Sequence, residues 1–132
     1  MKIRFAAAGA GLLALTAPGI ASADDTPTYA SVTHCAAYNK LLVRVYSYGD
    51  GAAKHKTEIA TYNNQWDALA QIATIMSKKE SKDVADDISA QENAMFQMLS
   101  DDGASSKLIA DNNASCVSMG KDAYQALIDS KK

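Results

Sequence analysis

The residues with the chemistry to act on something are few: two histidines, two cysteines and one tight run of aspartates. His34 and Tyr38 stand one helical turn apart, and imidazole and phenolate are both haem ligands. The pair therefore raises non-covalent haem, with Met119 as a conceivable second axial ligand. No Cys-x-x-Cys-His run is present, which excludes covalent attachment of a c-type haem. The simpler reading, a boundary histidine beside a core tyrosine, accounts for the same spacing and is preferred. His55 opens a later segment and is expected at the far end of the molecule, out of reach of a metal or proton relay shared with His34. Asp83, Asp86 and Asp87 lie at i, i+3 and i+4, a spacing that can share a divalent cation. No second acidic motif is placed to face them, and Lys78, Lys79 and Lys82 dilute their field. They read as acids complementing the positive end of a helix dipole.

Nucleophilic catalysis has no support. There is no Gly-x-Ser-x-Gly elbow and no coupled acid–base pair. Cys35 and Cys116 lack the Cys-x-x-Cys spacing that lowers a thiol pKa. They are expected to form one structural disulfide. Tyr38, Tyr46, Tyr62 and Trp66 recur at helical spacing, a pattern of core packing that could also line a pocket for an apolar ligand. Met76, Met95, Met98 and Met119 add adaptable apolar surface. The candidate ligand-binding residues are thus His34, Tyr38, Tyr62, Trp66 and Met119. No catalytic residue, metal or cofactor is assigned, and the expectation is a protein that is not an enzyme. Asn113-Ala114-Ser115 matches a glycosylation sequon inside a helical stretch and reads as accidental.

These residues need elements to position them. The chain has 132 residues, 13 Lys+Arg against 15 Asp+Glu, and a net charge of −2. That balance argues against a general nucleic-acid binder, and two cysteines are too few for a four-ligand zinc site. Residues 1–23 have the layout of a secretory signal peptide: Lys2 and Arg4, an apolar run from Phe5 to Thr16, then Ala21-Ser22-Ala23. The run is shorter than the ~20 residues of a membrane span. Cleavage after Ala23 would leave residues 24–132 as a single domain with a net charge of −4. The expected location is periplasmic or secreted, without a membrane anchor, where a disulfide persists.

Residues 24–132 are rich in alanine, keep only Pro27, and show no sustained period-2 alternation, so the fold class is all-α. Thr26-Pro27 reads as a helix cap followed by proline at the first helical position. The first segment places Cys35, Tyr38, Leu42, Val45, Tyr46 and Gly49 on one face, with Thr33, Lys40, Arg44 and Ser47 opposite, and stops at Gly49-Asp50-Gly51. Ile59, Tyr62, Trp66, Leu69, Ala73 and Met76 step as a heptad seam. That seam fails at Glu80 and Asp83, which predicts a turn within residues 77–81 rather than one long helix with a stutter. The third segment carries Val84, Ile88, Gln91, Met95 and Met98 and stops at Asp101-Asp102-Gly103. The fourth, from about Ser105, carries Ile109, Cys116, Gly120, Ala123 and Leu127. Four such segments predict an antiparallel up-down four-helix bundle, its first and fourth helices joined by Cys35–Cys116. The functional expectation is an exported, non-catalytic protein that acts by binding another envelope protein. The alternative is a carrier of a small apolar ligand or non-covalent haem in the core.

Overall fold

A reciprocal cap starts the first helix. The Thr28 hydroxyl accepts from the Ser31 amide at 3.0 Å, and the Ser31 hydroxyl accepts from the Thr28 amide at 2.8 Å. The start thus lies two residues beyond the expected Thr26-Pro27 cap. Thr28 has a hydroxyl three residues on to close the box, whereas Thr26 has Tyr29 there. The computed structural model describes residues 26–132, so the signal peptide expected over residues 1–23 lies outside the described residues. Five helices follow in order: α1 Tyr29–Tyr46, α2 Gly51–Lys54, α3 Lys56–Ser77, α4 Ser81–Met98 and α5 Asp102–Ser130. There is no strand among the described residues, and the fold is all-helical. None of these helices is long and apolar enough to cross a membrane.

The connections follow from local chemistry. The Ser47 hydroxyl donates to the Val43 carbonyl at 2.6 Å as α1 ends, and Gly49 turns the chain at φ +61°. Gly51 then begins the one-turn α2, absent from the four-segment reading. A Cβ at Gly51 would run into the Tyr46 carbonyl oxygen, so only glycine lets the chain double back this closely. Lys78, at φ 61°, ends α3 with its amide on the Thr74 carbonyl at 3.0 Å. Segments two and three are therefore separate helices. Glu80 occupies the cap position of α4, without a side-chain bond. Asp101 caps α5 by accepting from the Ala104 amide at 3.1 Å, which puts Gly103 inside the first turn of α5 rather than in the preceding loop.

α1 is the central element. It packs on α3, α4 and α5, and Val32, Thr33, Cys35, Ala36, Ala37, Tyr38, Asn39 and Leu41 are all buried. Burial on several sides overrides a single apolar stripe. Thr33, expected on the outer face, is buried, accepting from Gln91 at 3.0 Å and donating to the Tyr29 carbonyl at 2.9 Å. Val45, expected inside, is exposed near the end of α1. Met76, Met98 and Ile109, at the outer ends of their seams, are also exposed. In α5 Leu108 is buried in place of Ile109, and Ala126 more than Leu127, while Cys116, Gly120 and Ala123 are buried as expected.

The disulfide Cys35–Cys116 ties α1 to α5 with a Cα–Cα distance of 4.7 Å, as the inward placement of both cysteines predicts. Four residues after Cys116, Gly120 seats α5 against α1 and α3. A Cβ there would lie 2.9 Å from the Gln65 Cβ and 3.1 Å from Asn39 Nδ2. Gly120 marks a close helix crossing.

Candidate functional site

Glu92 occupies an apolar phase of α4, four residues after Ile88 and three before Met95, and is buried with them. A buried carboxylate requires a partner. Arg44 of α1 supplies it, with Nη1 donating to both Glu92 oxygens at 3.1 Å and to Asn93 Oδ1 at 3.2 Å. The guanidinium carbon also lies 3.7 Å from the centre of the Phe96 ring, within the range of a cation–π contact. The arginine is thus held by a carboxylate, an amide and an aromatic face, all contributed by α4.

One turn back on α1, Lys40 reaches the other way. Its ammonium lies 5.3 Å from the Trp66 ring centre, and it forms no ion pair among the described residues. The Trp66 indole N–H donates to Asn63 Oδ1 at 2.7 Å on the same helix, α3, which fixes the ring. Lys40, Val43 and Arg44, Asn63 and Trp66, and Ser89, Glu92 and Asn93 together line an open groove of about 480 Å³ over the second half of α1, between α3 and α4. Its volume lies within the range of small-molecule sites.

The residues singled out from the sequence distribute differently. His34 is half-buried, with Nε2 2.7 Å from Asn112 Oδ1 of α5. The Tyr38 hydroxyl donates to Asn113 Oδ1 at 2.9 Å, one turn along α1. These contacts flank the disulfide and join the same two helices. Burial pushes the Tyr38 phenol up to about 12, with Tyr62 and Tyr46 adding to the rise. Tyr62 stacks on Tyr46 with ring centres 5.7 Å apart, and its phenol is raised mainly by burial. His55 meets the same Tyr46 edge-on at 5.0 Å, near the end of α1 opposite to His34, so the two histidines are not brought together. Trp66 lines the groove, and Met119 packs on the core from α5. The five candidates form no common ligand shell. His34 and Tyr38 meet α5 asparagines, Tyr62 joins a tyrosine stack, and Trp66 belongs to a separate surface.

The aspartate run also resolves into pairs. Asp86 accepts from Lys82 at 2.8 Å, and Asp87 accepts from Lys79 at 3.0 Å and from the Tyr29 hydroxyl at 2.5 Å. The Tyr29 hydroxyl, followed by Lys79, holds the Asp87 carboxyl below the usual carboxylate range. No group of three or more His, Cys, Asp or Glu suited to a metal ion occurs among the described residues.

Sequence reasoning singled out Trp66 but missed the rest of its groove. One signal was available: an acid at position 92, in phase with Ile88 and Met95, must find a cation. Which cation answers depends on tertiary packing. The chain matches no protein-family model, no curated protein and no solved structure.

Proposed function

We propose that the chain is an exported, non-catalytic helical-bundle protein that acts by binding another protein of the cell envelope, through the groove between α1, α3 and α4. The observation that carries this reading is the Lys40 ammonium, unpaired among the described residues, over a fixed tryptophan face, beside the buried Glu92 carboxylate held by a partly exposed Arg44. Tryptophan and arginine in a water-shielded setting are the residue types on which protein–protein binding energy concentrates. Hydrogen bonds from Tyr29 to Asp87, Gln91 to Thr33 and Arg44 to Glu92 hold α1 and α4, two of the helices that form the groove, in place, which lowers the ordering cost of association.

The bundle arrangement belongs to the same proposal. The contacts Tyr46–Tyr62 and Lys40–Trp66 support an antiparallel α1–α3 pair. Tyr29–Asp87, Thr33–Gln91 and Arg44–Glu92 support α4 running alongside α1 in the same sense, as in an up-down-up order. Asn112 beside His34, with Gly120 beside Asn39, favours a steep crossing of α5 over α1 instead of a fully antiparallel fourth helix.

The carrier reading, with an apolar ligand or haem in the core, draws less support. Ligation by His34 or Tyr38 would sacrifice hydrogen bonds they already make to Asn112 and Asn113. Native mass spectrometry of the protein purified from its own envelope separates the two. A bound polypeptide that is lost in Trp66→Ala is the expected result. A stoichiometric small molecule of haem or lipid mass, with no polypeptide, would overturn the protein-binding reading.

A further inference from the structure

The polar groups around the groove have a direction. An indole N–H and a guanidinium N–H can only donate, so whatever meets them must present an acceptor. Asn63 therefore turns its carbonyl oxygen to Trp66 and its NH₂ away, and Asn93 turns its oxygen to Arg44 in the same manner. Both oxygens of Glu92 face Arg44. Lys40 adds an ammonium with no acidic partner among the described residues. The nitrogen capacity left unused on the groove lining is thus all donor: two amide NH₂ groups, one ammonium and the remaining guanidinium N–H groups, with the Ser89 hydroxyl beside them able to donate or accept. Glu92 balances the charge of one of the two cations on α1, which leaves a positive charge over. The Trp66 face supplies an apolar wall next to these donors.

From this juxtaposition we infer that the groove is a carboxylate-binding site, taking an aspartate or glutamate side chain of the partner polypeptide next to an apolar side chain that rests on Trp66. The inference rests on the protein-binding reading and specifies the chemistry of its site. A carboxylate is acceptor-only and suits converging donors, and its charge is matched by Lys40. A cationic or donor-rich ligand would face like charge and unpaired donors. Lys40 is the specificity-determining residue: it swings from the Trp66 face to the incoming carboxylate and exposes the ring to the neighbouring apolar group.

The chain contains a single tryptophan, so fluorescence excited beyond the absorption of its tyrosines reports this groove alone. The folded, disulfide-bonded protein is titrated with N-acetyl-phenylalanyl-glutamate amide, with its glutamine counterpart, and with inorganic phosphate. The expected result is a saturable change with the glutamyl peptide at about millimolar concentration, and binding of the glutaminyl peptide weaker by about tenfold or more. Lys40→Met is expected to abolish that preference while the melting temperature stays unchanged. Absence of saturation by about 10 mM glutamyl peptide, or equal binding of the two peptides, would overturn the inference. Tighter binding of phosphate than of the glutamyl peptide would overturn it in favour of an inorganic-anion site. If these titrations fail while a polypeptide lost in Trp66→Ala is still recovered from the envelope, the carboxylate assignment falls and the protein-binding reading stands. Saturable peptide binding with no recovered polypeptide separates them in the opposite sense.

Discussion

Gly120→Ala sets two elementary effects against each other, and the structure decides the sign. Glycine within a helix costs about 1 kcal/mol relative to alanine, so intrinsic propensity alone predicts a stabilised α5. The added methyl, however, would stand 2.9 Å from the Gln65 Cβ, 3.0 Å from Gln65 Oε1 and 3.1 Å from Asn39 Nδ2. The Gln65 amide can swing aside, but its Cβ is fixed to the α3 backbone. Asn39 is anchored by hydrogen bonds to the Cys35 carbonyl at 2.9 Å and the Cys116 carbonyl at 3.1 Å. Overpacking of this kind costs about 1–3 kcal/mol, and weakening the Asn39 bond to Cys116 adds about 1 kcal/mol. Against the propensity gain, the expected net destabilisation is about 1–3 kcal/mol, or roughly a 4–24 °C fall in melting temperature for a domain of this size. Urea denaturation of the disulfide-bonded protein, followed by circular dichroism, measures it. Gly103→Ala is the internal control: its Cβ would find only Asp101 Oδ1, at 3.4 Å, so it is expected to be neutral or stabilising by up to about 1 kcal/mol. A Gly120→Ala variant as stable as the parent would refute the close crossing of α5 on α1 and α3.

Removing the disulfide, by Cys35→Ala with Cys116→Ala, opens a link between residues 81 apart and is expected to lower stability by about 4–5 kcal/mol on chain-entropy grounds. Thermal melts of the double variant check the loss, and thiol titration of the denatured, unreduced parent should find no free cysteine. Lys78→Gly relieves a side chain held at φ 61° and should raise stability by about 0.5–1 kcal/mol, read as a shift in the urea midpoint at unchanged slope. Because the Tyr38 phenol is raised from 10 to about 12, its contribution is full below about pH 10 and is lost as pH rises towards 12. The loss amounts to about 2–3 kcal/mol, and Tyr38→Phe should flatten that part of the stability–pH curve. A Tyr38→Phe curve that still falls as steeply as the parent's between pH 10 and 12 would contradict the assignment.

Much of the helical layout is legible in the chain because it depends on neighbours a few residues apart. Alanine content and the absence of period-2 alternation specify helices. The failure of the seam at Glu80 and Asp83 locates the break that the structure places between Ser77 and Ser81. Inward placement of Cys35 and Cys116 anticipates their bond. Cap positions were less legible, since the Thr26-Pro27 and Thr28–Ser31 signals lie side by side and a reciprocal pair of hydrogen bonds decides between them. The groove was hardly legible at all, because Lys40, Trp66 and Glu92 are brought side by side from three different helices.

By itself, then, the sequence determined the helical class, the break after Ser77 and the partners in the disulfide, since each follows from local periodicity or from there being only two cysteines. Tertiary structure alone decided that α1 is enclosed by three helices, which buries Thr33 and leaves Val45 exposed. It also decided that Leu108 rather than Ile109 faces inward, and that Arg44 answers Glu92 while Lys40 is left over Trp66. The physical reason is common to all three. Periodicity defines the faces of one helix, whereas burial and charge pairing depend on the angles at which several helices cross, and at Gly120 that crossing is set by the space of a single missing methyl group.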